Sequence, residues 1–238
     1  MSTEKTIPAI LLVEDDEKLA ALVGDYLSST LGVHVSIETR GDEAVARILN
    51  ETPDMVILDI MLPGKDGLTI CREVRTQYRG PILILTALGD EVDEVVGLEI
   101  GADDYIAKPT SPRLLAARVK TLLRRFARIP SADGETTTRK ISVGRIAIDA
   151  AQRTAWIDGA PLQLTTGEFD LLWFLAENAG HVVSRDQLYQ ELRGIEWDGL
   201  DRSIDLRIAR LRKKLGDDAQ NPLIIQSIRG AGYQLAEG

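Results

Sequence analysis

The first 126 residues alternate short, wholly apolar runs with stretches of helical period, and few folds accept that alternation. Ile7–Val13, Met55–Leu58 and Ile82–Leu85 contain no polar side chain. Val33–Ile37 and Tyr105–Ala107 are shorter candidates of the same kind. Between them, Glu17–Ser29, Gly41–Leu49, Leu68–Val74, Val92–Ile100 and Ser111–Arg125 bring apolar residues round every three or four positions. A strand that is apolar throughout needs cover on both faces. Five strand–helix pairs of this type predict a parallel sheet with helices on each side. Ser111 is placed to cap the last helix, with Pro112 in its first turn.

The pattern breaks at residues 127–140. Ile129-Pro130-Ser131-Ala132-Asp133-Gly134-Glu135-Thr136-Thr137-Thr138 has little to bury and reads as a flexible linker between a domain over 1–126 and another over 141–238. The second half opens with strand candidates at Ile141–Ile148, Thr154–Ile157 and Leu162–Leu164. Thr165-Thr166-Gly167-Glu168 and Ser184-Arg185-Asp186-Gln187 are capping boxes for helices over Phe169–Ala176 and Leu188–Leu192. A third helix is expected over Arg202–Leu215, with Asp201 as its cap and Gly216 as its stop. Ile224–Ile228, Gly230-Ala231-Gly232 and Tyr233–Leu235 read as a hairpin.

Charge and composition narrow the function. The chain of 238 residues carries a formal charge of -9, which speaks against nucleic acid as a partner of the whole surface. The distribution is uneven. Residues 1–126 hold 14 basic and 21 acidic side chains, while Asp201–Leu215 holds six basic and two acidic. One cysteine, Cys71, excludes an intrachain disulfide and sits on an apolar helical stripe, as a buried structural thiol does. No run approaches the length of a membrane span, and Met1–Pro8 lacks a signal-peptide core, so a cytoplasmic protein is expected.

Acidic residues collect at two strand ends. Glu14, Asp15 and Asp16 follow the first strand and Asp59 follows the third. Sites in such sheets form beyond the carboxyl ends of the strands, where strand order reverses. In a flavodoxin-like order 2-1-3-4-5, Asp15 and Asp59 converge. Converging carboxylates repel and need a positive partner. A hard divalent ion such as Mg²⁺ suits oxygen ligands and offsets charge on a transferring phosphoryl group. A carboxylate can itself attack phosphorus and become an aspartyl-phosphate. Thr86 at the end of the fourth strand and Lys108 after the fifth then supply the hydroxyl and the cation. Taken singly, each of these residues is an ordinary surface group. In this order, at these strand ends, they form one constellation.

Four segments resemble the receiver domain of response regulators: Leu11–Asp16, Val56–Gly67, Leu83–Ala87 and Gly101–Pro109. The resemblance implies Asp59 as phosphoacceptor and a Mg²⁺ site made by Glu14, Asp15, Asp59 and the Met61 backbone carbonyl. It implies Thr86 and Lys108 on the phosphoryl group, a cis Lys108–Pro109 bond, and Tyr105 as the ring that follows Thr86. It also implies phosphotransfer from a sensor histidine kinase and slow self-dephosphorylation rather than a turnover enzyme. A phosphatase would want a general acid–base two residues past Asp59, where Met61 stands.

The helix from Arg202 has a narrow apolar face of Ile204, Ile208, Leu211 and Leu215. Arg202, Ser203, Arg207, Arg210, Lys213 and Lys214 spread over the other side, and Arg212 falls near Asp205. Such a charge run is usually a solvated face. Here it follows another helix and precedes a hairpin whose turn carries Arg229, so a helix in the major groove with a wing on the backbone is expected. Leu164–Leu172, Val183–Leu188, Arg202–Leu215 and Ile228–Tyr233 look like the winged-helix effector of the OmpR/PhoB family. Gly194–Asp201 and Asp59–Cys71 look most like its RstA branch. The family implies a polymerase-touching loop over Gly194–Asp201, where Trp197 reads equally as an exposed contact or a satellite-core residue. It further implies a homodimer on phosphorylation, through Glu99 with Lys120 and Asp104 with Arg118. Another family ion pair falls here on Glu94 and Leu114, which cannot form it. The remaining alternative is a regulator that binds DNA without phosphorylation.

Overall fold

The apolar runs become the inner strands of a parallel sheet: β1 (Ala9–Val13), β2 (His34–Glu38), β3 (Met55–Asp59), β4 (Ile82–Thr86) and β5 (Asp104–Ala107), in the order β2-β1-β3-β4-β5. A computed structural model describes residues 7–86, 100–126, 140–197, 199 and 201–237, with the side chain of Thr86 excepted. Successive residues of β1 and β3 bury on opposite faces, as a strand covered twice requires. Leu11, Val13, Val56 and Leu58 pack beneath α2 (Gly41–Glu51) and α3 (Gly67–Val74). Ile10, Leu12, Met55 and Ile57 pack beneath α1 (Glu17–Leu31) and α4 (Pro112–Phe126). Cys71 is buried in the first of these cores. Asp16 caps α1, Asp66 caps α3, and the Ser111 hydroxyl accepts from the Leu114 amide at the start of α4. Of the helix expected over Val92–Ile100, residues 92–99 lie outside the described residues.

The chain divides into two compact units, Met1–Leu123 and Arg124–Gly238. Residues 127–139 of the expected linker lie outside the described residues, and Lys140 already begins a strand. In the second unit β6 (Lys140–Val143), β7 (Ile146–Asp149), β8 (Thr154–Ile157) and β9 (Ala160–Leu162) form an antiparallel sheet in sequence order. The run Ile141–Ile148 is therefore two strands, split at Gly144, whose φ of 52 makes a turn. Three helices follow: α5 (Thr166–Glu177), α6 (Arg185–Arg193) and α7 (Ser203–Leu215). Both capping boxes form, Thr165 with Glu168 and Ser184 with Gln187. The sheet β10 (Val183–Ser184), β12 (Gly232–Leu235), β11 (Ile225–Ile228) completes the unit. β10 has two residues, too few to show a period. Leu172, Leu188, Ile204, Ile208 and Leu211 meet Ile225 and Leu235 in one core.

Two glycines hold the loop between β3 and α3. The Gly41 amide donates to the Pro63 carbonyl at 3.0 Å, and the Gly67 amide donates to the Ile60 carbonyl at 2.9 Å. A Cβ on Gly41 would overlap the Lys65 carbonyl oxygen, and one on Gly67 would overlap the Asp59 carbonyl oxygen. Both obstacles are backbone, so neither can swing aside. Gly24 differs: its nearest neighbours to an added Cβ are Val35 and Ile37 side chains at 3.6–3.8 Å. Urea unfolding should show Gly41→Ala and Gly67→Ala destabilised by about 1–3 kcal/mol or more. Gly24→Ala should be neutral or stabilised by up to about 1 kcal/mol, as expected for alanine in a helix.

Candidate phosphoryl-acceptor pocket and nucleic-acid interface

Parallel pairing carries the acidic strand ends together. Leu58 of β3 lies opposite Val13 of β1, so Asp59 stands beside Glu14. Thr86 pairs with Ala107, so Lys108 follows at the same edge of the sheet. The Lys108 Nζ donates to Glu14 Oε2 at 2.6 Å and to Asp59 Oδ2 at 2.9 Å. Asp59 Oδ1 accepts from the Ile60 amide at 2.7 Å. Burial of Glu14 raises its pKa despite the lysine beside it. Burial pulls the Lys108 ammonium down, but its bonds to the two carboxylates outweigh that and hold it above its ordinary value. Lys108–Pro109 is cis.

One cation against three carboxylates leaves net negative charge. Glu14, Asp15 and Asp59 each present an oxygen within 4.8 Å of the others, a spacing a divalent ion can bridge. Glu14 and Asp59 are buried and Asp15 is exposed. Asp16, the third acid of the run, caps α1 through the amides of Lys18 and Leu19. Met61 continues the loop with its side chain 54% exposed. Tyr105 is buried in the core on the α2–α3 side. Gly67, which the sequence reading passed over, braces the Asp59 carbonyl from behind. Its signal was the Asp66-Gly67 pair at a helix start. Arg118 and Asp104, expected to pair between protomers, form a buried ion pair at 3.2 Å within one chain. Lys120 is exposed, and Glu94 and Glu99 lie outside the described residues.

α7 presents a different face from the one expected. Ser203 is buried, where its hydroxyl accepts from Arg193 at 2.6 Å. Arg207 is 2% exposed and lies over Gly167 on α5, so it is not on the outer face. A 100° projection gave it to the basic side because 70° from the core centre still looks lateral. In the packed domain that flank is covered. Lys214 is bonded to Glu168 at 2.5 Å and to the Gln163 carbonyl at 2.7 Å. Arg212 does not pair with Asp205. It donates to the Ile225 carbonyl and the Ser227 hydroxyl. Asp205 instead accepts from Arg185, Arg202 and the Tyr233 hydroxyl. What remains outward is Arg202, Leu206, Ala209 and Lys213, with Arg210 half-buried at the side. Arg229 is exposed at the β11–β12 turn.

The N-terminus of α7 is fixed by an acid one residue before its cap. Asp201 accepts from the Ser203 amide at 2.8 Å, from the Tyr189 hydroxyl at 3.0 Å and from Arg193. The N-cap residue itself is Arg202, which makes no side-chain cap. Trp197 takes the satellite-core reading: it stacks on Tyr189, bonds the Asp201 carbonyl through its indole nitrogen, and lies beneath Arg185.

A flavodoxin-like sheet with this acidic pocket, followed by a winged helix, defines a two-component response regulator. The chain belongs to the OmpR/PhoB family of these transcription regulators. Residues 10–120 match the response regulator receiver domain and residues 159–235 match the C-terminal domain of transcriptional regulatory proteins. The chain is 43% identical to the transcriptional regulatory protein RstA of Escherichia coli K12, over 95% of this chain and 97% of that protein. DrrB of Thermotoga maritima, an OmpR/PhoB homolog, is 33% identical with a TM-score of 0.52, covering 97% of this chain and 100% of DrrB. A cysteine-to-aspartate variant of RitR shares the fold at a TM-score of 0.73, with 24% identity and the same coverage. The receiver of the present chain implies a histidine kinase partner, and its C-terminal domain implies promoter DNA. Among the described residues no helix is long and apolar enough to cross a membrane.

Two substitutions test these geometries. Lys108→Met leaves Glu14 and Asp59 facing each other without their cation, so its melting temperature should fall in metal-free buffer. Millimolar MgCl₂ should restore more of that loss than it adds to wild type. Asp201→Ala removes the carboxylate from the buried Arg193 guanidinium, which keeps its bond to Ser203, and chemical denaturation of the second unit should report a loss of about 3–5 kcal/mol.

Proposed function

We propose that Asp59 accepts the phosphoryl group and that the pocket around it performs the transfer. The observation that carries this reading is the Lys108 ammonium held on Asp59 Oδ2 and Glu14 Oε2 at once. A cation already seated on the nucleophile's oxygen can stay with the phosphoryl oxygens as their charge develops. Mg²⁺ fits the donor set, which is all oxygen: Glu14, Asp15, Asp59 and the Met61 carbonyl are its ligands. When bound it neutralises charge on the incoming phosphoryl group. Thr86, at the end of β4, donates its hydroxyl to that group, and Tyr105 follows it. Phosphorylation adds roughly -1.5 to -2 charges to the pocket.

The response is dimerisation through the face that carries Glu99, Asp104, Arg118 and Lys120. Asp104 and Arg118 exchange their intrachain pair for one across the interface. Leu114 in place of an acid removes one family contact, so either the dimer is weaker or another contact replaces that pair. Two effector domains then occupy half-sites about one helical turn apart. Arg202, Arg210 and Lys213 on α7 and Arg229 on the wing meet the duplex, while Gly194–Asp201 faces RNA polymerase. The protein works in the cytoplasm.

Acetyl phosphate with Mg²⁺ should add one phosphoryl group by mass to wild type and none to Asp59→Asn. An equally labelled variant would move the site elsewhere. For DNA, Arg202→Gln and Lys213→Gln should each lower the dependence of log affinity on log salt by roughly one unit. Arg207→Gln should leave that slope unchanged, because its guanidinium is buried.

A further inference from the structure

The outward strip of α7 is cationic at its ends and apolar in its middle. Arg202, Leu206, Ala209 and Lys213 recur at spacings of four, three and four, which aligns them along one side of the helix. Arg202, Ala209 and Lys213 are exposed and Leu206 half-exposed. The strip is roughly 16 Å long, against a major groove about 12 Å wide. Its end cations therefore fall over the two backbones when its middle lies over base edges.

Most of the polar side chains flanking that middle are already committed, and Arg210 is half-buried at the side. Asp205 is bonded to Arg185, Arg202 and Tyr233, and Arg212 to the Ile225 carbonyl and Ser227. On the other flank Ser203 and Arg207 are buried and Lys214 is paired with Glu168. The Arg202–Asp205 pair is the exception. Its arginine side chain is 72% exposed, and a surface pair of this kind is readily exchanged for a phosphate. The core is carried by Ile204, Ile208, Leu211 and Leu215, so Leu206 is not needed there.

Leu206 and Ala209 can neither donate nor accept a hydrogen bond, and a phosphate or a guanine edge gains nothing from them. The one apolar group on the major-groove floor is the C5-methyl of thymine. We propose that Leu206 and Ala209 are specificity-determining residues that read thymine methyl groups, so that each half-site carries A·T pairs at its centre. This rests on α7 being the helix that enters the groove.

The test uses the full chain treated with acetyl phosphate and Mg²⁺. Duplexes enriched from a random pool are remade with deoxyuridine for thymidine, which removes only the methyl groups. Wild type should lose roughly three- to fivefold in affinity for each contacted methyl, as the burial of one carbon predicts. Leu206→Ala should lose most of that preference while binding an unrelated duplex, with its salt dependence, as wild type does. Equal wild-type affinity for both duplexes overturns the proposal. So does an equal loss on deoxyuridine for wild type and Leu206→Ala, since the methyl then acts through duplex shape. Enriched duplexes whose binding ignores Arg202→Gln and Lys213→Gln take α7 out of the groove and overturn the reading beneath the proposal.

Discussion

A single ammonium group sits where three strand ends meet, and the acidic pocket of the receiver is built around it. Parallel pairing in the order β2-β1-β3-β4-β5 brings Glu14 and Asp59 side by side with little water around either. Two such carboxylates repel, and the sheet offers them no way apart. Lys108 enters from the end of β5 and bonds both. Its charge offsets one carboxylate. The remaining negative charge, with Asp15 at the rim, is what a divalent ion and then a phosphoryl group can address. The pocket is thus a consequence of strand order, and its Asp59 carboxylate is held in place by the same bond that makes the fold tolerable.

The second unit solves a related problem with the opposite sign. α7 and its N-cap Arg202 carry six basic residues in a domain that must pack them. Buried and half-buried acids take up part of that charge and of the charge on α6: Glu168 takes Lys214, Asp201 takes Arg193 of α6, and Asp205 gathers Arg185 of α6 and Arg202. Tyr233 joins Asp205, and burial with that bond pushes its hydroxyl pKa up to about 12. Hydrogen bonds from Tyr233, Arg202 and Arg185 outweigh burial and hold Asp205 below the usual carboxylate range. The outward face of α7 is what this internal pairing leaves over. It is narrower than the count of basic residues suggests, and apolar at its centre.

Much of this was legible in the sequence because period and order are one-dimensional signals. The wholly apolar runs in β1, β3 and β4, between amphipathic helices, specified the parallel sheet. Both capping boxes marked the N-caps, Thr165 and Ser184, and the helices begin directly after them, three residues ahead of the expected ranges. Glu14, Asp59 and Lys108 followed from strand ends. What could not be read was lateral packing. Arg207 and Ser203 lie on a flank of α7 that is polar in sequence and covered in space, by Gly167 and by Arg193. Arg212 bonds a strand that follows it by 13 residues, and no local period encodes that. The Gly144 turn divided a run that looks continuous because the residues on either side are apolar. Gly67 carried no charge to draw attention, although it stands against the Asp59 carbonyl.

The central claim is that chemistry at Asp59 governs how tightly the strip on α7 holds promoter DNA. The most direct measurement is the affinity of the full chain for its enriched duplex, before and after acetyl phosphate and Mg²⁺, in wild type and Asp59→Asn. The account predicts a tighter complex after treatment of wild type and no change in the variant. Equal affinity before and after in wild type, with phosphate shown to be present, would contradict it.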